Sequence, residues 1–382
     1  MTWLRSDTET LYDDDLSRFV AAALRDDTVD EIVDAATNHE PIELNDRNTA
    51  AEPYVEKMLD EEVQKQFGDP KRSLVDLALN SVDARPDDAE NYTVRLYNTP
   101  WSFTVADEGN GMGIETIVEQ LLVPFSSEKD PTEDIGRFGV GFYSSLEHVM
   151  ANPEQSTVAV NTHDGEDSYR LAFSTDGQQI DDLQLQIEEG TRKRQGTTVS
   201  VKHPNADRSE IGDYVRDYLG AMNPERVTFK GLFRQINTLP DGDRHHGTFQ
   251  YDGDTHEILA VTDPESTAMD LTVTSQGVTI MDDDFSYGNV MINLPPAVGL
   301  VEGRNDFKHD AVYEKAVQTA YETLAEGIDA ETYDRFVQEL FPTLEDTFDI
   351  EVDRAVKETV KDTMDRGTYL VPYRDGLASN MV

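Results

Sequence analysis

Between residues 13 and 24, apolar side chains fall at Leu16, Phe19, Val20 and Leu24, the three-and-four spacing of one helix face. The same reading predicts helices over 29–36 and 54–67, with 45–51 as a loop, so residues 1–70 form a helical segment. Gly68-Asp69-Pro70 interrupts it, and Asp69 or Ser73 is placed to cap the next helix. The pattern then shifts to alternation. Strands are expected over 92–97 and 101–106 around the turn Asn98-Thr99-Pro100, and again over 156–161, 169–173, 183–187 and 197–201. Helices at 114–122 and 140–150 lie between them. Together these predict an α+β sandwich, a mixed or antiparallel sheet covered by helices on one face.

Pro204-Asn205 marks a boundary, followed by a helix over 210–222 and strands over 226–229, 248–251, 257–262, 271–274 and 290–294. That is a second α/β domain. Residues 310–366 read as helical, split at Gly327 and Pro342, with a short tail after them. The expected organisation is therefore 1–70, 71–204, 205–308 and 309–382, without internal repeats. His245-His246 reads as a surface hairpin loop rather than a metal site, and Asp282-Asp283-Asp284 as a solvated turn rather than a calcium loop.

Charge changes the setting more than the fold. The 382 residues carry 32 lysines and arginines against 77 aspartates and glutamates, a formal charge of −45. Such a surface repels itself in dilute buffer, whereas in molar salt the Debye length falls to about 3 Å. The acids are spread along the whole chain, as in a salt-adapted cytoplasmic protein from a halophile. Lys71-Arg72 and Arg192-Lys193-Arg194 are too short to mark a nucleic-acid path, so no nucleic-acid partner is expected. No apolar run approaches the roughly 20 residues of a membrane span, and the N-terminus lacks a signal-peptide core. With no cysteine, thiolate chemistry and disulfides are excluded.

Three motifs carry chemistry. In 74–84 (LVDLALNSVDA), Asp76, Asn80 and Asp83 share a narrow stripe on a helix that is apolar almost everywhere else. Such a helix is buried, and its stripe faces a ligand or a wet cleft. In Asp107-Glu108-Gly109-Asn110-Gly111-Met112, an acid at a strand end precedes two glycines that let a flat ring approach the backbone. In 135–146 (IGRFGVGFYSSL), glycines at 136, 139 and 141 lead into an apolar helix, converging backbone N–H groups on an anion site. The spacing is neither a Walker loop nor a dinucleotide fingerprint.

Joined in this order, and closed by Gly196-Thr197-Thr198-Val199, the motifs resemble the GHKL ATPases over residues 70–202. Gyrase, histidine kinases, mismatch-repair ATPases and the ninety-kilodalton heat-shock chaperones belong to that superfamily, and the run GRFGVGFYSSL is most similar to the chaperones. The resemblance implies ATP and magnesium as cofactors. Asp107 would read the adenine amine, helped by Thr197, with Gly109, Gly111 and Met112 lining the purine slot. Asn80 would hold magnesium, with Asp83 and Ala84 near base and sugar. Gly136, Phe138, Gly139, Val140, Gly141 and Phe142 would wrap the phosphates. Residues 124–134 would form a lid whose Lys129 is either a phosphate contact or a solvated lysine. Asp76 stands where hydrolysing members carry glutamate, one methylene longer, which leaves open a slow ATPase or a binding-only switch.

Beyond the boundary, 271–284 is similar to a strand pair of the chaperone middle domain. Arg304 falls where that family places an arginine reaching the γ-phosphate, or is an exposed arginine paired to an acid. The resemblance implies a protein client or partner and allows a nucleotide-dependent dimer. The other expectations are a histidine kinase, whose phosphoacceptor would have to be His39 beside Pro41, a gyrase- or mismatch-repair-type ATPase, and a defence module shaped by nucleotide.

Overall fold

The computed structural model describes residues 8–44, 51–66, 69–124, 141–175, 177, 179, 182–223, 226–231, 234–301, 306–328, 334–351, 354–358 and 361. It divides between Thr238 and Leu239 into two compact units. The boundary expected at 204/205 thus lies inside the first unit. Beyond that point in the chain, α7 (Arg208–Leu219) and β8 (Thr228–Lys230) still belong to the first unit, because β8 pairs parallel with β2 (Thr93–Asn98).

The first unit is built on an eight-stranded sheet. Besides β2 and β8 it holds β1 (Thr10–Asp15), β3 (Ser102–Ala106), β4 (Thr157–His163), β5 (Ser168–Thr175), β6 (Leu183–Glu189) and β7 (Gly196–Lys202). Their order is β1-β6-β5-β4-β7-β3-β2-β8, antiparallel except at β2–β8. Val94, Leu96, Phe103, Val105, Val160 and Leu171 point to one face and are buried. The alternate positions stay partly exposed, the pattern of a sheet covered on one side. The helices over that face are α1 (Leu16–Ala23), α2 (Asp26–Thr37), α3 (Glu52–Gln66), α4 (Pro70–Asp83), α5 (Ile114–Thr116, running into a π-helical turn at Ile117–Leu121) and α6 (Glu147–Ala151). This is the expected α+β sandwich.

Several local expectations change. The all-helical reading of 1–70 misses β1, an edge strand whose pairing with β6 overrides the poor strand propensity of three consecutive aspartates. The helix expected over 140–150 is a 3₁₀ turn, Tyr143–Leu146, followed by α6. His39 follows α2 in a left-handed conformation, φ 56°, outside any helix.

In the second unit the strands run β12-β11-β13-β10-β9, from β9 (Asp243–Tyr251), β10 (Asp254–Asp263), β11 (Asp270–Ser275), β12 (Val278–Asp284) and β13 (Asn289–Leu294). β11 and β12 form the strand pair expected over 271–284. His245 and His246 lie within β9, not in a hairpin loop. The buried His245 ring bonds Thr262 Oγ1 at 2.9 Å, and the turn comes later at Asp252-Gly253. Asp282-Asp283-Asp284 ends β12 as exposed strand rather than a turn. α8 (Ala311–Gly327) is capped by Asp310, whose carboxylate accepts from Val312 and Tyr313 N–H. Pro342 sits inside α9 (Asp334–Phe348) and does not split it. Tyr313 donates to the Phe348 carbonyl at 2.9 Å, tying α8 to the end of α9.

Candidate functional site

Helix α4 begins on a Pro70 that needs no N–H partner, with the Asp69 carboxylate accepting from Lys71 N–H at 3.0 Å. Ser73, Leu74, Val75, Leu77, Ala78, Leu79, Ser81 and Val82 are buried around it, as an apolar helix between a sheet and other helices requires. Asp76 is also buried, only 4 % exposed, while Asn80 and Asp83 one and two turns on are partly open. A Cβ built on Gly141 would stand 3.5 Å from Asp76 Cβ and 4.0 Å from Asn80 Nδ2. The third motif therefore re-enters the described structure facing the first, at a spacing that a methyl group on Gly141 would fill in ordinary contact.

Asp76 has a cation beside it. Arg72, one turn earlier, places Nε 3.6 Å from Asp76 Oδ1 and lays its guanidinium over the Tyr218 ring of α7, 4.7 Å from the centroid. That Nε is buried and has no hydrogen-bond partner among the described residues. Behind it, the buried His148 Nδ1 accepts from Asn205 N–H at 2.9 Å. The neutral ring then carries its proton on Nε2 and donates to Ser73 Oγ at 2.9 Å, which donates to the Pro70 carbonyl. Burial lowers His148 to about 4, against a smaller pull from Pro70, so the imidazole stays neutral at ordinary pH.

The second motif closes around Asp107 at the end of β3. Its Oδ1 accepts from Gly109 N–H (3.0 Å) and Thr197 N–H (2.9 Å), and its Oδ2 accepts from Ser81 Oγ (2.7 Å). Burial raises the Asp107 carboxyl, and the Ser81 hydroxyl and the two amides pull it back down. Of the roughly four lone-pair positions on a carboxylate, these bonds leave one, on Oδ2. Thr197 Oγ1 lies 3.1 Å from Thr162 Oγ1, which accepts from Met112 N–H at 2.8 Å. Asn110 N–H donates to the Ala84 carbonyl at 2.9 Å, joining the motif to the end of α4.

Both glycines are there because nothing larger fits. A Cβ on Gly109 would collide with the Ala84 carbonyl oxygen and lie 2.7 Å from the Tyr92 hydroxyl. Gly111 has φ 69°, and its Cβ would run into the His163 carbonyl. Phe142 is a core residue by its ring, 5.2 Å from Phe173 by centroids, so only its backbone is open to a ligand.

The structure thus gathers Asp107, Gly109, Gly111, Met112, Thr197 and Ala84 at one place, with Asp76 and Asn80 beside it on α4 and Gly141 facing those two from the third motif. Lys129, Gly136, Phe138, Gly139, Val140 and Arg304 lie outside the described residues. Ser81, Thr162, Tyr92 and Arg72 join the site without having been expected. Ser81 carries no distinguishing signal in the sequence, since Ser73 and Ala78 are equally small on the same helix.

The antiparallel-dominated sheet, layered with helices, thus carries an acid-glycine strand end opposite an Asn-bearing helix. Residues 69–187 match the model of the family described as histidine kinase-, DNA gyrase B-, and HSP90-like ATPase. The match supports placing this domain in the GHKL superfamily, with its Bergerat-type fold. Thr197 lies past its end, so the structure extends the site one strand further. No curated protein matches the chain.

Proposed function

We propose that the first unit binds ATP with magnesium, hydrolyses it slowly, and acts as a conformational switch of the heat-shock-chaperone kind on a protein client, in the cytoplasm of a salt-adapted cell. The observation that carries this is the single free acceptor position on the buried Asp107 carboxylate, ringed by glycine backbone. An exocyclic amine of a purine satisfies it, and a 6-oxo group does not. Asn80 offers one hard oxygen, which suits a magnesium ion that keeps its waters and takes further oxygens from phosphate. When bound, the nucleotide and its ion supply the scissile bond and the charge that offsets it.

In this reading the chain's own groups have three tasks. Asp107 and Thr197 hold the base in register. The backbone about Gly141 approaches the phosphates closely. Asp76 takes a proton from the attacking water, with Arg72 one turn earlier holding the carboxylate in aim. The shorter aspartate favours a second reading, a switch that binds without turnover.

The test is differential scanning fluorimetry in molar KCl. Ligand at 100 times its dissociation constant adds about 2.7 kcal/mol, so Mg-ATP should raise the melting temperature and Asp76→Ala should keep that rise while losing phosphate release. No shift with Mg-ATP sinks the nucleotide reading. A shift without turnover in the unmodified chain selects the binding-only switch.

A further inference from the structure

The face of the eight-stranded sheet turned away from α4 is unlike the rest of this chain. Arg95, Ala106, Thr198, Asn161 and Arg170 stand side by side across β2, β3, β7, β4 and β5. No outward position on β3, β7, β4 or β5 is an aspartate or glutamate, in a chain with 77 of them. Lys202 lies close enough to Arg170 that the like charge, after partial burial, lowers its pKa. The one acid bordering Arg170, Glu188 on β6, is already paired with it at 2.6 Å.

At one end of this face is a cavity of about 400 Å³ lined by Arg95, Tyr97, Glu108, Arg192, Lys193 and Arg194, with Ala106 and Asp107 at its base. The Asp107 carboxylate points the other way, toward α4, so among the described lining residues Glu108 is the only acid that offers charge to the cavity. It is engaged by Arg95 at 3.1 Å and more loosely by Arg194 at 3.9 Å. Four cations against one acid leave an excess of positive charge in a protein of net −45. Arg192 is fixed in place: Nη2 donates to the Asp107 carbonyl at 2.6 Å, Nε to the Arg194 carbonyl at 2.9 Å, and Nη1 to Thr198 Oγ1. Arg194, by contrast, is 85 % exposed.

We propose that this face docks an acidic segment of a protein partner. Its carboxylates enter the cavity against Arg95, Lys193 and Arg194, while its backbone lies along the outward Thr104, Thr198 and Ser200 of β3 and β7. Charge-assisted pairs to arginine are the strongest hydrogen bonds a surface can offer, and an isolated positive site on an acidic body steers an anionic partner to one place. Nucleic acid is the poorer occupant. Its phosphates repeat along a track, whereas these cations surround one concavity, and the remaining surface repels a polyanion. The proposal stands whether or not the opposite side of the sheet binds nucleotide.

Fluorescence anisotropy with the full chain tests it, without nucleotide, at the lowest KCl concentration at which circular dichroism shows the native fold. The probes are a fluorescein-labelled decapeptide of alternating aspartate and glutamate, a glycine-serine decapeptide, and a single-stranded oligonucleotide of equal charge. The acidic peptide should bind and the neutral one should not. Lys193→Glu with Arg194→Glu should weaken binding at least tenfold at an unchanged melting temperature. Lys193→Ser with Arg194→Ser, which asks less of the fold, should give a smaller loss in the same direction. Failure of the acidic peptide to bind overturns the proposal, and so does binding that both double variants leave intact. Tighter binding of the oligonucleotide with the same sensitivity to the variants also overturns it.

Discussion

Asp107→Asn separates the fold from the site. In the variant the amide oxygen keeps the Gly109 and Thr197 N–H bonds, and the new NH₂ meets a Ser81 hydroxyl that can rotate to accept. Three charge-assisted bonds become ordinary ones, at a cost of about 1 kcal/mol each. Against this, burial has raised the carboxyl pKa, which means that the charged form is the less favoured one in the folded chain. The two effects oppose, and the net change in stability should be within about 1–2 kcal/mol. Asp107→Ala is the contrast. It strands two buried amides at about 1–3 kcal/mol each and should melt well below the others. For the ligand the asparagine is far worse, because it presents a donor to a donor. A loss of at least 100-fold in ATP affinity reduces a stabilisation of about 2.7 kcal/mol to about 0.4. At roughly 2–4 °C per kcal/mol for a unit of this size, a shift of some 5–10 °C shrinks to about 1 °C. Inosine triphosphate, with an acceptor where adenine has an amine, should regain part of the shift in the variant. Fluorimetry with both nucleotides gives the answer in one plate. If Asp107→Asn melts normally and still responds fully to Mg-ATP, Asp107 does not read the base.

Arg72→Ala should lower kcat by about 10- to 100-fold through loss of aim at Asp76 while leaving ATP affinity nearly unchanged, and Arg72→Lys should recover part of it; equal losses in kcat and affinity would argue for a merely structural role. Glu147, raised to about 7 by burial and then by Asp69, gives stability that is complete below about 4.5 and lost as pH rises through about 7. Glu147→Gln should therefore stabilise by about 1–2 kcal/mol at pH 8, after allowance for solvent screening, and do little at pH 4; urea titrations at both pH values check the sign. Gly111→Ala forces a methyl group toward the His163 carbonyl at a positive φ and should both lower the melting temperature by several degrees and remove the ATP shift.

Helix α4 was legible because Gly68-Asp69-Pro70 announces its start and its apolar residues leave Asp76, Asn80 and Asp83 as one polar stripe. Asp107 was legible for a similar reason, an acid where a strand stops and glycines begin. Ser81 and Thr162 were not, since a small hydroxyl residue on an inward position is compatible with ordinary packing and acquires a partner only in three dimensions. The cationic cavity was hidden differently. Arg192-Lys193-Arg194 is short by itself, and becomes a site only when register brings Arg95 of β2 beside it. β1 was missed because Asp13-Asp14-Asp15 contradicts strand propensity and the pairing that overrules it lies on β6, far along the chain.

Those same aspartates have a use at the margin of the sheet. β1 ends the sheet on one side with a row of like charges and an irregular register between Thr10 and Tyr12, and β8 ends it on the other with only three residues. Among the described residues neither margin offers the long, flat, uncharged run of backbone on which another chain could continue the hydrogen-bond ladder. Accretion of copies edge to edge is thereby discouraged, and in strong salt, where the aspartates are screened, the irregular start of β1 and the shortness of β8 remain. A partner of this unit is then met by side chains rather than by bare backbone, and side chains decide which partner fits.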